Sequence, residues 1–145
     1  MLESQRHEDA KLTVIDGDVE RFAKDVLDSA FKVHHYFGSG MLESIYEKAL
    51  CYELDKRDIK NVRQVEIPVF YDEEPLGTGF RADIIVEDKI LIEAKACEKL
   101  LPVHRAQTLS YLRLANLPLG FLINFNVPVI KNGLVRIIND KYKER

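Results

Sequence analysis

The chain has little cysteine: Cys51 and Cys97 are its two thiols, far apart and without the short spacing of metal-ligating pairs. That argues against structural zinc or an iron–sulfur cluster, and both thiols are expected to be free in a reducing cytoplasm. No apolar run approaches the roughly 20 residues that a membrane-crossing helix needs, so no membrane is expected as a partner. The opening MLESQRHEDAK is charged and lacks the apolar segment of a secretory signal. An excess of positive charge is missing too. With 21 Lys and Arg against 24 Asp and Glu, the net charge is -3, which counts mildly against a general nucleic-acid binder but permits a local basic patch. Ser, His and Cys form no arrangement that suggests a nucleophilic triad, and no repeat or low-complexity tract is present.

What is there suits one globular unit. The 145 residues are 46% hydrophobic and 31% charged, enough for a single domain with a real core. We expect a flexible extension over residues 1–17, one domain over 18–140 and a charged tail over 141–145. Apolar spacing predicts a helix from Val19 to about Phe37, capped by Asp16 or Asp18, with His34 and His35 as helix-end polar residues. Gly38-Ser39-Gly40 breaks it. A second helix then carries Leu42, Ile45, Tyr46, Ala49, Leu50 and Leu54 inward and ends near Asp58. Glu43 falls in its first turn, where a carboxylate suits the helix dipole. Val62 to Tyr71 reads as a strand that Pro68 confines to an edge, and Asp72 to Gly77 as a turn. Pro102 opens a third helix with Ala106, Leu109, Ser110, Leu112 and Leu114 inside. Leu119 to Phe125 is a strand buried on both faces. After an Asn132-Gly133 turn, Leu134 to Ile138 makes the last strand.

The most informative stretch is FRADIIVEDKILIEAK, Phe80 to Lys95. It reads as a hairpin in which Glu93 and Lys95 share a face. A two-residue loop, Glu87-Asp88, would pair Ala82 with Glu93 and mix charge into the apolar face. A three-residue loop, Glu87 to Lys89, pairs Val86 with Ile90, Ile84 with Ile92 and Ala82 with Ala94 instead. A one-residue slip flips every side chain, so the apolar pattern selects the second register. That register sets Asp83 opposite Glu93. Opposed like charges destabilise a sheet unless neutralised, and a hard divalent cation would do so. The bland alternative is a solvated face with a weak Glu93–Lys95 pair.

Gly40-Met-Leu-Glu43-Ser-Ile-Tyr46 resembles the motif that names the GxxExxY protein family. VHHYFGSG before it, and RQ, RAD, EAK, PVHRAQ and INFNVP after it, follow in the order of that family. Asp83 followed by Glu93-Ala94-Lys95 resembles the PD-(D/E)xK nuclease signature, the superfamily in which that family is placed. The resemblance implies an α/β fold: a central mixed sheet flanked by helices, with an α-β-β-β-α-β core and an extra N-terminal helix. It implies a Mg²⁺- or Mn²⁺-dependent nuclease acting on DNA or RNA. Asp83, Glu93, the Ala94 carbonyl and Glu43 would hold the metal, and Lys95 would position or activate water. The Gln107-x-x-x-Tyr111 spacing resembles that of RecB-type nucleases, where the glutamine flanks the metal site. Gln64, in the RQ pair, is equally well explained as an ordinary polar strand residue. Lys99, His104, Arg105 and Arg113 offer either a basic rim for phosphates or a solvated helix face. A double-strand cut by simultaneous nicking would need two sites, hence a homodimer. The competing class is an inactive nucleic-acid- or protein-binding module on the same fold.

Overall fold

The computed structural model describes residues 15–144. Most of the expected N-terminal extension, residues 1–14, and the final Arg145 lie outside the described residues. Helix α1 spans Gly17–Phe37 and α2 spans Glu43–Lys56. Strands β1 (Asn61–Tyr71), β2 (Glu74–Val86) and β3 (Ile90–Lys95) follow. Helix α3 (Pro102–Ala115), β4 (Leu119–Asn124), a 3₁₀ turn (Ile130–Gly133) and β5 (Leu134–Ile138) complete the chain.

Of the two capping candidates, Asp16 caps α1, accepting from the Val19 amide at 3.0 Å, while Asp18 pairs with Arg21 instead. Val19, Ala23, Val26, Ala30 and Val33 turn inward on a helical stripe. Helix α2 ends at Lys56, two residues before the expected Asp58, because Asp58 takes a left-handed φ of 60°. Tyr46 closes the link between these helices. Its hydroxyl donates to the Gly38 carbonyl at 2.6 Å and accepts from the Met41 amide at 3.1 Å, and its ring stacks on Phe125 at 4.4 Å.

The five strands form one sheet in the order β1-β2-β3-β4-β5. β3 and β4 are parallel, joined through α3, and the other neighbours are antiparallel. β1 lies at an edge, where Pro68 can forgo a ladder hydrogen bond. One face of the sheet packs Ile84, Val86, Ile92, Phe121 and Ile123 against α1 and α2. The other packs Ala82 and Leu91 against Leu112 of α3 and against Leu117 in the loop that follows it. Every residue of β4 is buried, as its unbroken apolar run requires.

Two local expectations are corrected. The turn predicted over Asp72 to Gly77 is only Asp72-Glu73, both with positive φ (49° and 69°), and β2 already begins at Glu74. Left-handed residues at both positions match strand twist, and register shifts beside Pro68 and Phe70 let Pro75 and Gly77 sit within the strand. On α3 the inner side is Thr108, Tyr111, Leu112 and Ala115. Ala106, Ser110 and Leu114 are exposed. The observed positions keep the spacing i, i+3, i+4, i+7 of one coherent helical stripe, which the expected set did not.

Candidate functional site

The β2–β3 ladder has the register that the three-residue loop demands: Val86 with Ile90, Ile85 with Leu91 and Ile84 with Ile92. There it stops. Asp83 and Glu93 are brought together, though not as a plain cross-strand pair. The Asp83 amide donates to Glu93 Oε2 at 3.0 Å, and the Ala94 amide donates to Asp83 Oδ2 at 2.9 Å. Two side chains thus take the places of ladder carbonyls, a competition open to short carboxylates next to main-chain donors.

Glu93 in this clamp is buried and Asp83 half-buried. Glu93 is 5% exposed, and burial, then the nearby Asp83 charge, pushes its carboxyl up to about 8. Burial likewise pushes Asp83 up to about 6, and the Glu47 and Glu43 charges add to the rise. The amides that the two acids accept and the Lys95 charge offset only part of this. Asp83 Oδ1 and Glu93 Oε1 accept no hydrogen bond among the described residues. Two desolvated carboxylates, each with an oxygen to spare and too little positive charge nearby, are a donor set that suits a hard divalent cation.

Lys95 ends β3, half-buried, on the face that carries Glu93, and pairs in register with Asn124 of β4. Ala94 lies between, buried in the β3–β4 ladder opposite Ile123. Glu43 is exposed at the first position of α2, and its Oε2 accepts from the Ala96 amide at 3.3 Å, so it reaches the end of β3 from the helix side. Among the described residues no three Asp, Glu, His or Cys side chains gather closely enough to cage a metal ion. The acids are therefore a tight pair with Glu43 on its border.

Gln107 is exposed on α3. Four residues later, about 6 Å along the axis, Tyr111 stacks on Phe80 at 3.7 Å. Its hydroxyl is pushed up by burial and then by the Glu93 charge, so α3 crosses the sheet beside the clamp. The four expected rim cations separate into two groups. Arg113 is held by Asp140 at 2.9 Å, and His104 Nδ1 accepts from the Leu101 amide at 2.9 Å. Lys99 and Arg105 instead line a 340 Å³ cleft with Asn124 and Asn132. Neither forms an ion pair among the described residues. His34 Nε2 lies 2.8 Å from the Val127 carbonyl, a packing role at the helix end.

One residue escaped sequence reasoning. Glu47 is buried, and its Oε1 accepts from Arg63 Nη2 at 3.0 Å and Gln64 Nε2 at 2.8 Å. Its spacing of four from Glu43, which puts both on one helix face, was the available signal.

A family model for the PD-(D/E)XK nuclease superfamily matches residues 20–137, from α1 into β5. The chain belongs to the PD-(D/E)XK nuclease superfamily. No curated protein and no solved structure matches it. The five-stranded mixed sheet flanked by helices is the architecture expected of a PD-(D/E)XK nuclease. Such nucleases generally use divalent metal ions, and nucleic acid is their substrate class. No helix among the described residues is long and apolar enough to cross a membrane.

Proposed function

We propose that this PD-(D/E)XK protein is a GxxExxY-type nuclease that hydrolyses phosphodiester bonds of DNA or RNA with Mg²⁺ or Mn²⁺. The observation that carries the reading is the Asp83–Glu93 clamp, Glu93 buried and Asp83 half-buried, with one oxygen of each acid unclaimed. Asp83 and Glu93 would hold the metal, with the Ala94 carbonyl and Glu43 completing its protein contacts. A bound divalent ion supplies Lewis acidity and makes a water nucleophilic near neutral pH. Lys95, on the same face as Glu93, orients that water or offsets charge building on the phosphate. Gln107, one turn before Tyr111, reaches toward the nucleic acid, and the cleft of Lys99 and Arg105 receives a neighbouring phosphate. A homodimer would supply two such centres for a double-strand cut. A cytoplasmic setting suits two free thiols, of which Cys51 is buried and pushed up to about 11 by that burial.

One observation favours an inactive binding module: no third acidic or imidazole side chain closes on the pair among the described residues. The two readings part in one experiment. DNA and RNA panels are incubated with Mg²⁺, Mn²⁺ or EDTA, using wild type, Asp83→Ala and Lys95→Ala. Metal-dependent cutting lost in both variants supports the nuclease. Cutting that persists in both refutes this site, and no cutting without metal-induced stabilisation of the wild type favours the binding module.

A further inference from the structure

Adjacent residues of a regular strand point to opposite faces. Arg63 and Gln64 are adjacent on β1, yet both donate to Glu47 Oε1, at 3.0 and 2.8 Å. Backbone conformation resolves the contradiction. Gln64 has φ +55°, an uncommon and costly choice for a residue other than glycine. Turning the chain there lets its amide meet the carboxylate that Arg63 also reaches. That carboxylate is fixed, because Glu47 is 4% exposed on α2, with the helix packed against β1 and β3.

The kink falls at a significant place. The β1–β2 ladder keeps one register from Asn61 with Val86 to Ile67 with Phe80, and a single pair is missing from it. The missing pair is Gln64 with Asp83. On its other side the β2–β3 ladder also ends before Asp83, at Ile84. Asp83 therefore sits between two interrupted ladders, and what its main chain and carboxylate do instead is engage Glu93 and Ala94.

We infer that Gln64 and Glu47 are positioning residues for Asp83: Glu47 holds Gln64 in its left-handed kink, and the kink releases Asp83 from β1 so that it can clamp onto β3. Arg63 balances the buried Glu47 charge and leaves the carboxylate free to accept from Gln64 as well. The functional consequence rests on the reading of Asp83 as a metal-binding acid; the geometric part does not. A strained residue next to the pair of acids, held there by a buried partner, is the arrangement expected when strain maintains a site geometry.

Gln64 is itself exposed, so the protein should fold without its side chain. Two readouts on wild type, Gln64→Ala and Gln64→Glu test the inference. The first is the Asp83 backbone amide in an NMR spectrum recorded in EDTA, where a bond to a buried carboxylate slows its exchange with solvent. The second is calorimetric titration with Mn²⁺. Removing the Gln64 amide, or setting a like charge against Glu47, should speed exchange of the Asp83 amide at least tenfold. Mn²⁺ affinity should fall roughly 10-fold or more, as for other partners that orient a metal ligand. Glu47→Gln keeps an acceptor oxygen and should retain the slow Asp83 amide. Variants that melt earlier but leave the Asp83 amide and Mn²⁺ affinity unchanged would reduce Gln64 to a stabilising residue and overturn the inference. A wild type that binds no Mn²⁺, but whose Asp83 amide still responds to Gln64→Ala, would uphold the positioning role while removing the metal-centre reading.

Discussion

Asp83 and Glu93 hold each other through the main chain: the amide of Asp83 donates to Glu93 at 3.0 Å, while the Asp83 carboxylate accepts the next amide after Glu93, that of Ala94, at 2.9 Å. The exchange locks two acids side by side with little water to screen them. A fold gains nothing in stability from such a pair, since desolvation and repulsion both oppose ionisation. Its cost is accounted for if a cation joins it, and the first two predictions follow from that cost.

Without metal, stability should fall as pH rises. Glu93 is raised from 4.5 to about 8 and Asp83 from 3.8 to about 6. The folded state therefore holds protons that the unfolded chain releases, and stability declines wherever the folded state binds more of them. The contribution is whole below the unfolded values and is lost as pH climbs through the folded ones. In EDTA the melting temperature should drop by several degrees between about pH 5 and about pH 9. Saturating Mn²⁺ should flatten or reverse that slope, because it binds the ionised pair. A melting temperature that rises over this range in EDTA would contradict the clamp's electrostatics.

Neutralising one acid should stabilise the metal-free protein and remove its metal response. Glu93→Gln keeps an oxygen for the Asp83 amide and, unlike Glu93, need not take up a proton on folding near neutral pH, so its melting temperature in EDTA there should exceed that of wild type. The gain should be on the order of 1–2 kcal/mol, since a group that must bind a proton to fold costs stability as the pH rises above its unfolded value. Mn²⁺ should no longer raise it, and nucleic-acid cleavage should disappear. Thermal unfolding with and without metal reads both effects. A Glu93→Gln protein less stable than wild type in EDTA would show that the carboxylate is structurally favourable as it stands.

Much of this site was legible because an apolar pattern admits only one register. Val86 against Ile90 followed from keeping Glu93 out of the core, and the gathering of Asp83, Glu93 and Lys95 followed from that. The interruption of the ladder did not follow, since it depends on carboxylates capturing amides that periodicity assigns to the neighbouring strand. Glu47 drew no reading from the sequence; only the packing of α2 on β1 buries it and supplies Arg63 and Gln64. Gln64 is the sharper case. Strand alternation gave it a plain outward direction, and the left-handed turn that changes this leaves no mark in composition. The α3 face was misjudged for a related reason: Ala106 and Leu114 are apolar but exposed, while the polar Thr108 is buried and bonds the His104 carbonyl of its own helix at 2.9 Å.

Tyr46 should matter for more than its ring. Tyr46→Phe keeps the stacking on Phe125 but removes the acceptor for the Met41 amide and the donor for the Gly38 carbonyl. Loss of two buried-end hydrogen bonds should cost about 1–3 kcal/mol, measured by urea unfolding. Because these bonds tether the segment that leads into Glu43, hydrogen exchange should also quicken at the start of α2. Unchanged stability would mean that the loop between α1 and α2 holds its shape without the hydroxyl.

The separation of the rim cations predicts a contrast within one helix. Arg105 lines the cleft with Lys99, whereas Arg113, two turns further along α3, is committed to Asp140. A contact to phosphate releases condensed counterions, so each one lost lowers the salt dependence of single-strand binding by about 0.7 in the log–log slope. Binding of a labelled oligonucleotide in EDTA, where nothing is cut, isolates this effect. Lys99→Ala with Arg105→Ala should reduce the slope by about 1.4, twice the single-contact value, and weaken binding across all sequences alike. Arg113→Ala should leave the slope as it is, since its guanidinium already has a partner. Equal effects from both sets would mean that the protein senses nucleic acid through its general surface charge, and the cleft of Lys99 and Arg105 would lose its claim on a phosphate.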